Sequence, residues 1–123
     1  MKTLVIGASL NPARYSFKAI EKLYTHGFAF LALGKSPGEL FGQPIHTKKE
    51  MWNDIDTISL YLSPVHQKEY YNYIESLTPR RVIFNPGTEN SEFETLLQKG
   101  GIIAERACTL VLLSTNQYEP QKG

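Results

Sequence analysis

Apolar positions in this chain fall in short runs broken by glycine, proline and small polar residues, and the runs alternate between two periods. Residues 2–7 are apolar enough for a strand covered on both faces, as in a parallel sheet. From Ser16 to His26 the period turns helical: Phe17, Ile20, Leu23 and Tyr24 share a face, and Gly27 stands at the C-terminal cap position. Phe28 to Leu33 reads as a second strand, ended by the loop Gly34-Lys35-Ser36-Pro37-Gly38. Leu40 to His46 reads as irregular with a short extended end, and Thr47 as the cap of a helical turn through Met51. Asp56 to Leu62 is a third strand, and Val65 to Leu77 a helix turning Tyr70, Ile74 and Leu77 inward. Arg81 to Phe84 is a fourth strand, and Ser91 to Lys99 a helix with Phe93, Leu96 and Leu97 inward and Gly100 closing it. Ile102 to Ala104 is a fifth short strand. Ala107 to Ser114 suits a helix or a strand, since its periodicity does not decide, and the polar ending from Gln117 reads as a loose tail.

Strands alternating with helices require right-handed crossovers and a parallel sheet covered on both sides. The expectation is an α/β, Rossmann-like three-layer sandwich with a five-stranded, mostly parallel sheet over residues 1–116, followed by a polar tail over 117–123. Ligands of such sheets lie at the carboxyl ends of the strands, where the strand order reverses. Residues following each strand are therefore the candidates.

The first strand runs directly into Gly7-Ala8-Ser9-Leu10-Asn11-Pro12, and Arg14 and Ser16 follow at the opening of a helix. Backbone N–H groups and the helix dipole converge on an anion at such a turn. Ser9 and Pro12 replace the second and third glycines of the G-x-G-x-x-G pattern, and the Ser9 hydroxyl and Asn11 amide offer donors instead. A NAD site carries an acidic residue after the second strand to hold the ribose hydroxyls. Here that place holds Gly34-Lys35, with no carboxylate before Glu39. A lysine there favours a nucleotide with an extra ribose phosphate, either NADP or coenzyme A. Ser63-Pro64 after the third strand offers a rigid ring to lie against a base, and equally a first-turn proline for the next helix. Asn85-Pro86-Gly87 after the fourth offers an amide and exposed backbone, and is also ordinary turn chemistry.

Composition removes several function classes. The net charge of +1 lacks the basic face of a nucleic-acid binder, and the pairs Lys48-Lys49 and Arg80-Arg81 read as solvated surface. The longest apolar run, Leu110 to Leu113, is too short to span a membrane, and the N-terminus does not read as a secretory signal. One cysteine, Cys108, allows neither an internal disulfide nor a cysteine-only metal cage, and the expected location is the cytoplasm.

No catalytic residue is assigned. His26 reads as a helix-end residue, His46 as lacking an acidic neighbour, and His66 as near enough to Ser63-Pro64 to face the cleft. Cys108 reads as a small buried hydrophobe unless Arg106 activates it. No H-E-x-x-H, G-x-S-x-G or P-loop motif is present.

The order of these motifs resembles a known family. Gly7-Ala8-Ser9-x-x-Pro12, the basic Lys35, Gly38-Glu39-x-x-Gly42-x-Pro44, the Asp56 strand, Asn85-Pro86-Gly87 and Glu105-Arg106…Cys108 together resemble the small stand-alone CoA-binding proteins. Their domain is similar to the N-terminal domain of the succinyl-CoA synthetase alpha subunit. The chain departs from that pattern at Leu33-Gly34-Lys35, at Leu62-Ser63, at Asn85-Pro86-Gly87 in place of a Gln-x-Gly element, and at Ala107, which interrupts an acid-Arg-Cys triplet. The resemblance implies a Rossmann-like fold with CoA as ligand. Gly7, Ser9 and Asn11 would meet the pyrophosphate, Lys35 the ribose phosphate, and Ser63 and Pro64 the adenine or pantetheine arm, with Asn85 and Gly87 nearby. The sequence ends at Gly123 without the histidine-bearing and nucleotide-grasping domains of the ligases, so ligation of CoA is not expected of it. The expected function is binding of CoA or an acyl-CoA as a small-molecule nucleotide ligand, with no nucleic acid, no membrane and no identified protein partner. The alternatives are an NADP-dependent oxidoreductase and a ligand-free interaction module using Tyr70, Tyr71 and Tyr73.

Overall fold

The computed structural model describes residues 2–119. Along the chain come β1 (Lys2–Ala8), α1 (Tyr15–Thr25), β2 (Ala29–Gly34), β3 (Gly38–Leu40), β4 (Gln43–His46), β5 (Ile55–Leu60) and α2 (Pro64–Gln67). A 3-10 turn (Lys68–Tyr70), α3 (Tyr71–Ser76), β6 (Arg81–Phe84), α4 (Ser91–Lys99), β7 (Ile103–Arg106) and α5 (Thr109–Ser114) complete it. The strands form one sheet in the order β3-β4-β2-β1-β5-β6-β7, parallel except for the β3–β4 pair. The fold is α/β and Rossmann-like, but its sheet has seven strands rather than the expected five.

The two unexpected strands form a hairpin at the sheet edge, where the sequence suggested irregular chain. Its turn residues Phe41 and Gly42 both have positive φ, 49° and 84°, the geometry of a two-residue hairpin turn. Phe41 holds this conformation while its ring lies 5.1 Å from Tyr24 and 5.7 Å from Phe17. Tyr24 is thus an exposed stacking residue rather than part of the core.

Period-two alternation divides the sheet between two cores. Leu4, Ile6, Ile58, Leu60, Val82 and Phe84 pack with Ile74, Leu77, Phe93 and Leu97 of α3, α4 and the turn after α3. Val5, Ala32 and Ile83 pack with Ile20, Leu23 and Leu113 of α1 and α5. Each such large side chain, fully buried, contributes about 1.5–3 kcal/mol.

Several expectations are corrected. The helix over 65–77 is interrupted by the 3-10 turn at Lys68–Tyr70, where Lys49 Nζ donates to the Glu69 carbonyl at 2.7 Å. Tyr73 is buried in place of Tyr70, and its hydroxyl donates to the Glu50 carbonyl at 2.6 Å. Those two contacts anchor residues 47–51 as loop, so the expected helical turn is absent. Leu96 is exposed rather than inward. The strand expected at 102–104 lies at Ile103–Arg106, and residues 109–114 are helix.

Arg80-Arg81 is not solvated surface. Arg81 is 5% exposed and donates to Thr57 Oγ1 at 3.2 Å and the Tyr118 carbonyl at 2.9 Å. Tyr118 is itself buried and hydrogen-bonds the Thr3 hydroxyl, so the ending expected to be loose from Gln117 is docked there. Positions 120–123 of that predicted tail lie outside the described residues.

Arg80 grips both carboxylate oxygens of Asp56 at 3.0 Å. Burial would raise the Asp56 carboxyl, but the hydrogen bonds from Arg80 and Thr57 outweigh it and hold the group below its ordinary value. A carboxyl lowered by folding stabilises the native state above its unfolded pKa, and this contribution is lost as pH falls through the folded pKa. Asp56→Asn should therefore cost about 1–2 kcal/mol near neutral pH. Thermal melts from pH 7 to 2 should show the difference from the parent shrinking on the acid side. A constant difference would assign the loss to packing.

Candidate functional site

The chain moves from β1 to β2 on one side and later returns to β5 on the other, so the crossovers reverse between β1 and β5. A crevice opens at the carboxyl ends of strands at such a point. Gly7 lets the two strand ends meet there: its φ is +97°, and a Cβ would lie 2.9 Å from the Tyr61 carbonyl oxygen. Gly34 has a different reason to be glycine, since a Cβ on it would collide with the Ala8 carbonyl.

The turn after β1 braces itself. Asn11 N–H donates to Ser9 Oγ, Ala13 N–H to Asn11 Oδ1, and Arg14 N–H to the Asn11 carbonyl, each at 3.0 Å. Ser9 and Asn11 thus spend acceptors on the turn while keeping the Ser9 O–H and Asn11 Nδ2 as donors. α1 begins with an extended Arg14 at its N-cap, no side-chain cap and no acidic residue in its first turn. Its opening N–H groups and dipole are consequently left for an anion.

Arg14 and Lys35 join Gly7, Ala8, Ser9 and Asn11 around one cavity of 510 Å³, with Leu10, Ser36, Tyr61 and Leu62 completing its wall. Two cations and no carboxylate line it. Burial pushes the Tyr61 phenol up to about 12, so it stays a neutral hydroxyl here. Leu10, Ser36, Tyr61 and Leu62 were missed in the sequence. Tyr61 and Leu62 read there as the last two residues of the third strand, but β5 stops at Leu60 and places them at the crevice.

The other candidates fall elsewhere. Pro12 is an exposed turn residue, Ser16 is buried, and Gly34 packs beneath the cleft. Pro64 is a first-turn proline of α2, and Ser63 Oγ bonds His66 Nδ1 at 2.9 Å on the surface. Asn85 is 1% exposed and spends its amide internally: Nδ2 donates to the Leu60 carbonyl (2.9 Å) and Ser59 Oγ (3.0 Å), and Oδ1 accepts Thr109 N–H (2.9 Å). Gly87 N–H donates to Glu89 at 2.9 Å. Asn85 and Pro86, with Tyr15, Tyr61, Cys108 and Leu110, line a second cavity of 260 Å³ that shares the Tyr61 wall with the first.

His26 Nδ1 donates to the Lys22 carbonyl at 2.9 Å at the end of α1. His46, expected to lack an acidic neighbour, has Glu50 at 3.3 Å. Arg106 pairs with Glu94 at 3.0 Å, so it is committed away from any activation of Cys108. Among the described residues no His, Cys, Asp and Glu group could hold a metal, and no helix is long and apolar enough to cross a membrane.

The CoA binding domain family matches residues 1–114, a span that includes both cavities. The chain belongs to that family. As a CoA-binding domain it is similar to an uncharacterized protein of known crystal structure at 45% identity, with 94% of this chain and 96% of that chain covered and a TM-score of 0.92. A conserved hypothetical protein from Pyrococcus furiosus is 25% identical, with 89% and 97% covered and a TM-score of 0.78. A Thermus thermophilus protein at 21% identity, with 94% and 89% covered and a TM-score of 0.85, shares the fold. Among curated proteins none matches.

Proposed function

We propose that this CoA-binding domain holds coenzyme A or an acyl-CoA across the carboxyl ends of its parallel strands, as a cytoplasmic carrier without chemistry of its own. The observation that carries the reading is the single 510 Å³ cleft joining an uncapped helix start, Arg14 and Lys35, with no carboxylate in its wall. The donor set suits a ligand with phosphates at two separate places. The Gly7–Asn11 turn and α1 would take the pyrophosphate, and Lys35, after the neighbouring strand, the 3′-phosphate. Gly34 and Asn85 would act as scaffold, holding Lys35 and the later strand ends in place.

NADP carries a comparable extra phosphate and is the competing ligand. Calorimetric titration with CoA, NADP and NAD separates them. CoA is expected to bind at least tenfold more tightly than NADP, with NAD weakest. NADP binding more tightly than CoA would overturn the proposal, and binding of none of the three would favour a ligand-free interaction module.

A further inference from the structure

We propose that the second cavity receives the acyl group of a short, uncharged acyl thioester, so that the ligand carried is a short-chain acyl-CoA rather than free CoA. The proposal rests on the CoA reading of the first cleft.

Position is the first argument. Lys35, the Gly7–Asn11 turn, Tyr61, Asn85-Pro86 and Cys108 follow β2, β1, β5, β6 and β7, which are successive neighbours in the sheet. A ligand with its ribose phosphate at Lys35 and its pyrophosphate at β1 therefore has its remaining arm directed along β5 toward β6 and β7. Adjacent strands lie about 4.8 Å apart, so three intervals from β1 to β7 span about 14 Å. The pantetheine arm contains two amide links, a contour like that of about four residues, also about 14 Å. Its sulfur would thus arrive at the cavity beyond Tyr61.

Lining and volume define what the sulfur carries. At about 30 Å³ per water-sized group, 260 Å³ holds about eight such groups, enough for a thioester and a short chain but not a long one. Tyr15, Tyr61, Pro86, Cys108 and Leu110 present largely apolar surface, and the one amide, Asn85, is buried with both its N–H donors spent within the fold. No cation lines the cavity, so an acyl group with a terminal carboxylate gains nothing there. Free CoA, ending in a thiol, would leave that apolar volume unfilled.

The test is calorimetric titration of the full chain and of Leu110→Trp, which fills the cavity from α5, with CoA, butyryl-CoA, succinyl-CoA and palmitoyl-CoA. Each buried methylene contributes about fourfold in affinity. Butyryl-CoA should bind the parent at least tenfold more tightly than CoA, with succinyl-CoA and palmitoyl-CoA gaining less than threefold. Leu110→Trp should bind butyryl-CoA no more tightly than it binds CoA, losing the butyryl advantage. A second readout needs no variant: butyryl-CoA should protect Cys108 from iodoacetamide at least tenfold better than CoA at equal occupancy. If CoA binds and butyryl-CoA gains nothing, the acyl proposal is overturned while the CoA reading stands. If CoA itself does not bind, both fall.

Discussion

Asn85→Ala is expected to destabilise the protein by about 3–5 kcal/mol, lowering the melting temperature by more than about 10 °C. The side chain stitches three elements together: the Leu60 carbonyl and Ser59 at the end of β5, and the Thr109 N–H at the start of α5. Alanine would orphan the Leu60 carbonyl and the Thr109 N–H at a position that is 1% exposed. Each buried group left unsatisfied costs about 1–3 kcal/mol, and the lost volume adds a cavity term. Differential scanning calorimetry measures the loss. Since both N–H donors of the amide are spent within the fold, the fraction still folded at low temperature should bind CoA close to normally. A variant of unchanged stability that binds poorly would instead return Asn85 to the set of direct ligand contacts.

Gly34→Ala should cost about 2–3 kcal/mol, an overpacking loss at the smallest possible enlargement. The added Cβ meets the Ala8 carbonyl oxygen and comes within 3.2 Å of Ile45 Cγ2. Ala8 is backbone in the sheet, and its pairing with Gly34 follows a register shift in β1, so neither partner can withdraw freely. Relief requires the end of β2 to move away from β1, carrying Lys35 off the phosphate turn. The expected result is a lowered urea midpoint together with weakened CoA binding in the folded protein. An alanine variant with parental stability and affinity would show that this close approach does not matter.

Parts of the architecture can be read from the chain because local punctuation and tertiary structure agree. β6 ends at Asn85-Pro86-Gly87, while α4 starts after Asn90, whose side chain accepts the Phe93 N–H at 3.2 Å, and stops at Gly100. The β3–β4 hairpin is illegible for the opposite reason. Its strands are three and four residues long, and Phe41 is an improbable residue for positive φ until Phe17 and Tyr24 pack on it. β7 lies later than its apolar residues suggest because Glu105 and Arg106 look like loop. On an edge strand they point to opposite faces, Glu105 toward Arg81 and Arg106 toward Glu94. At the site, the turn after β1 and Lys35 carry their own chemistry and were visible. Tyr61 and Leu62 carry none until the strand order puts β5 beside β1. Asn85 looks like a ligand donor in the sequence because composition does not reveal that both its N–H donors are already spent within the fold.

Affinity for CoA against dephospho-CoA, measured calorimetrically for the parent and for Lys35→Glu, tests the central claim most directly. The two ligands differ only in the 3′-phosphate, and a charge-assisted contact to it contributes about 1.5–3 kcal/mol. The parent should bind CoA about ten- to a hundredfold more tightly than dephospho-CoA. Lys35→Glu should erase that preference, with dephospho-CoA affected far less. Equal losses for both ligands, or a parent that does not distinguish them, would contradict the assignment of Lys35 to the ribose phosphate.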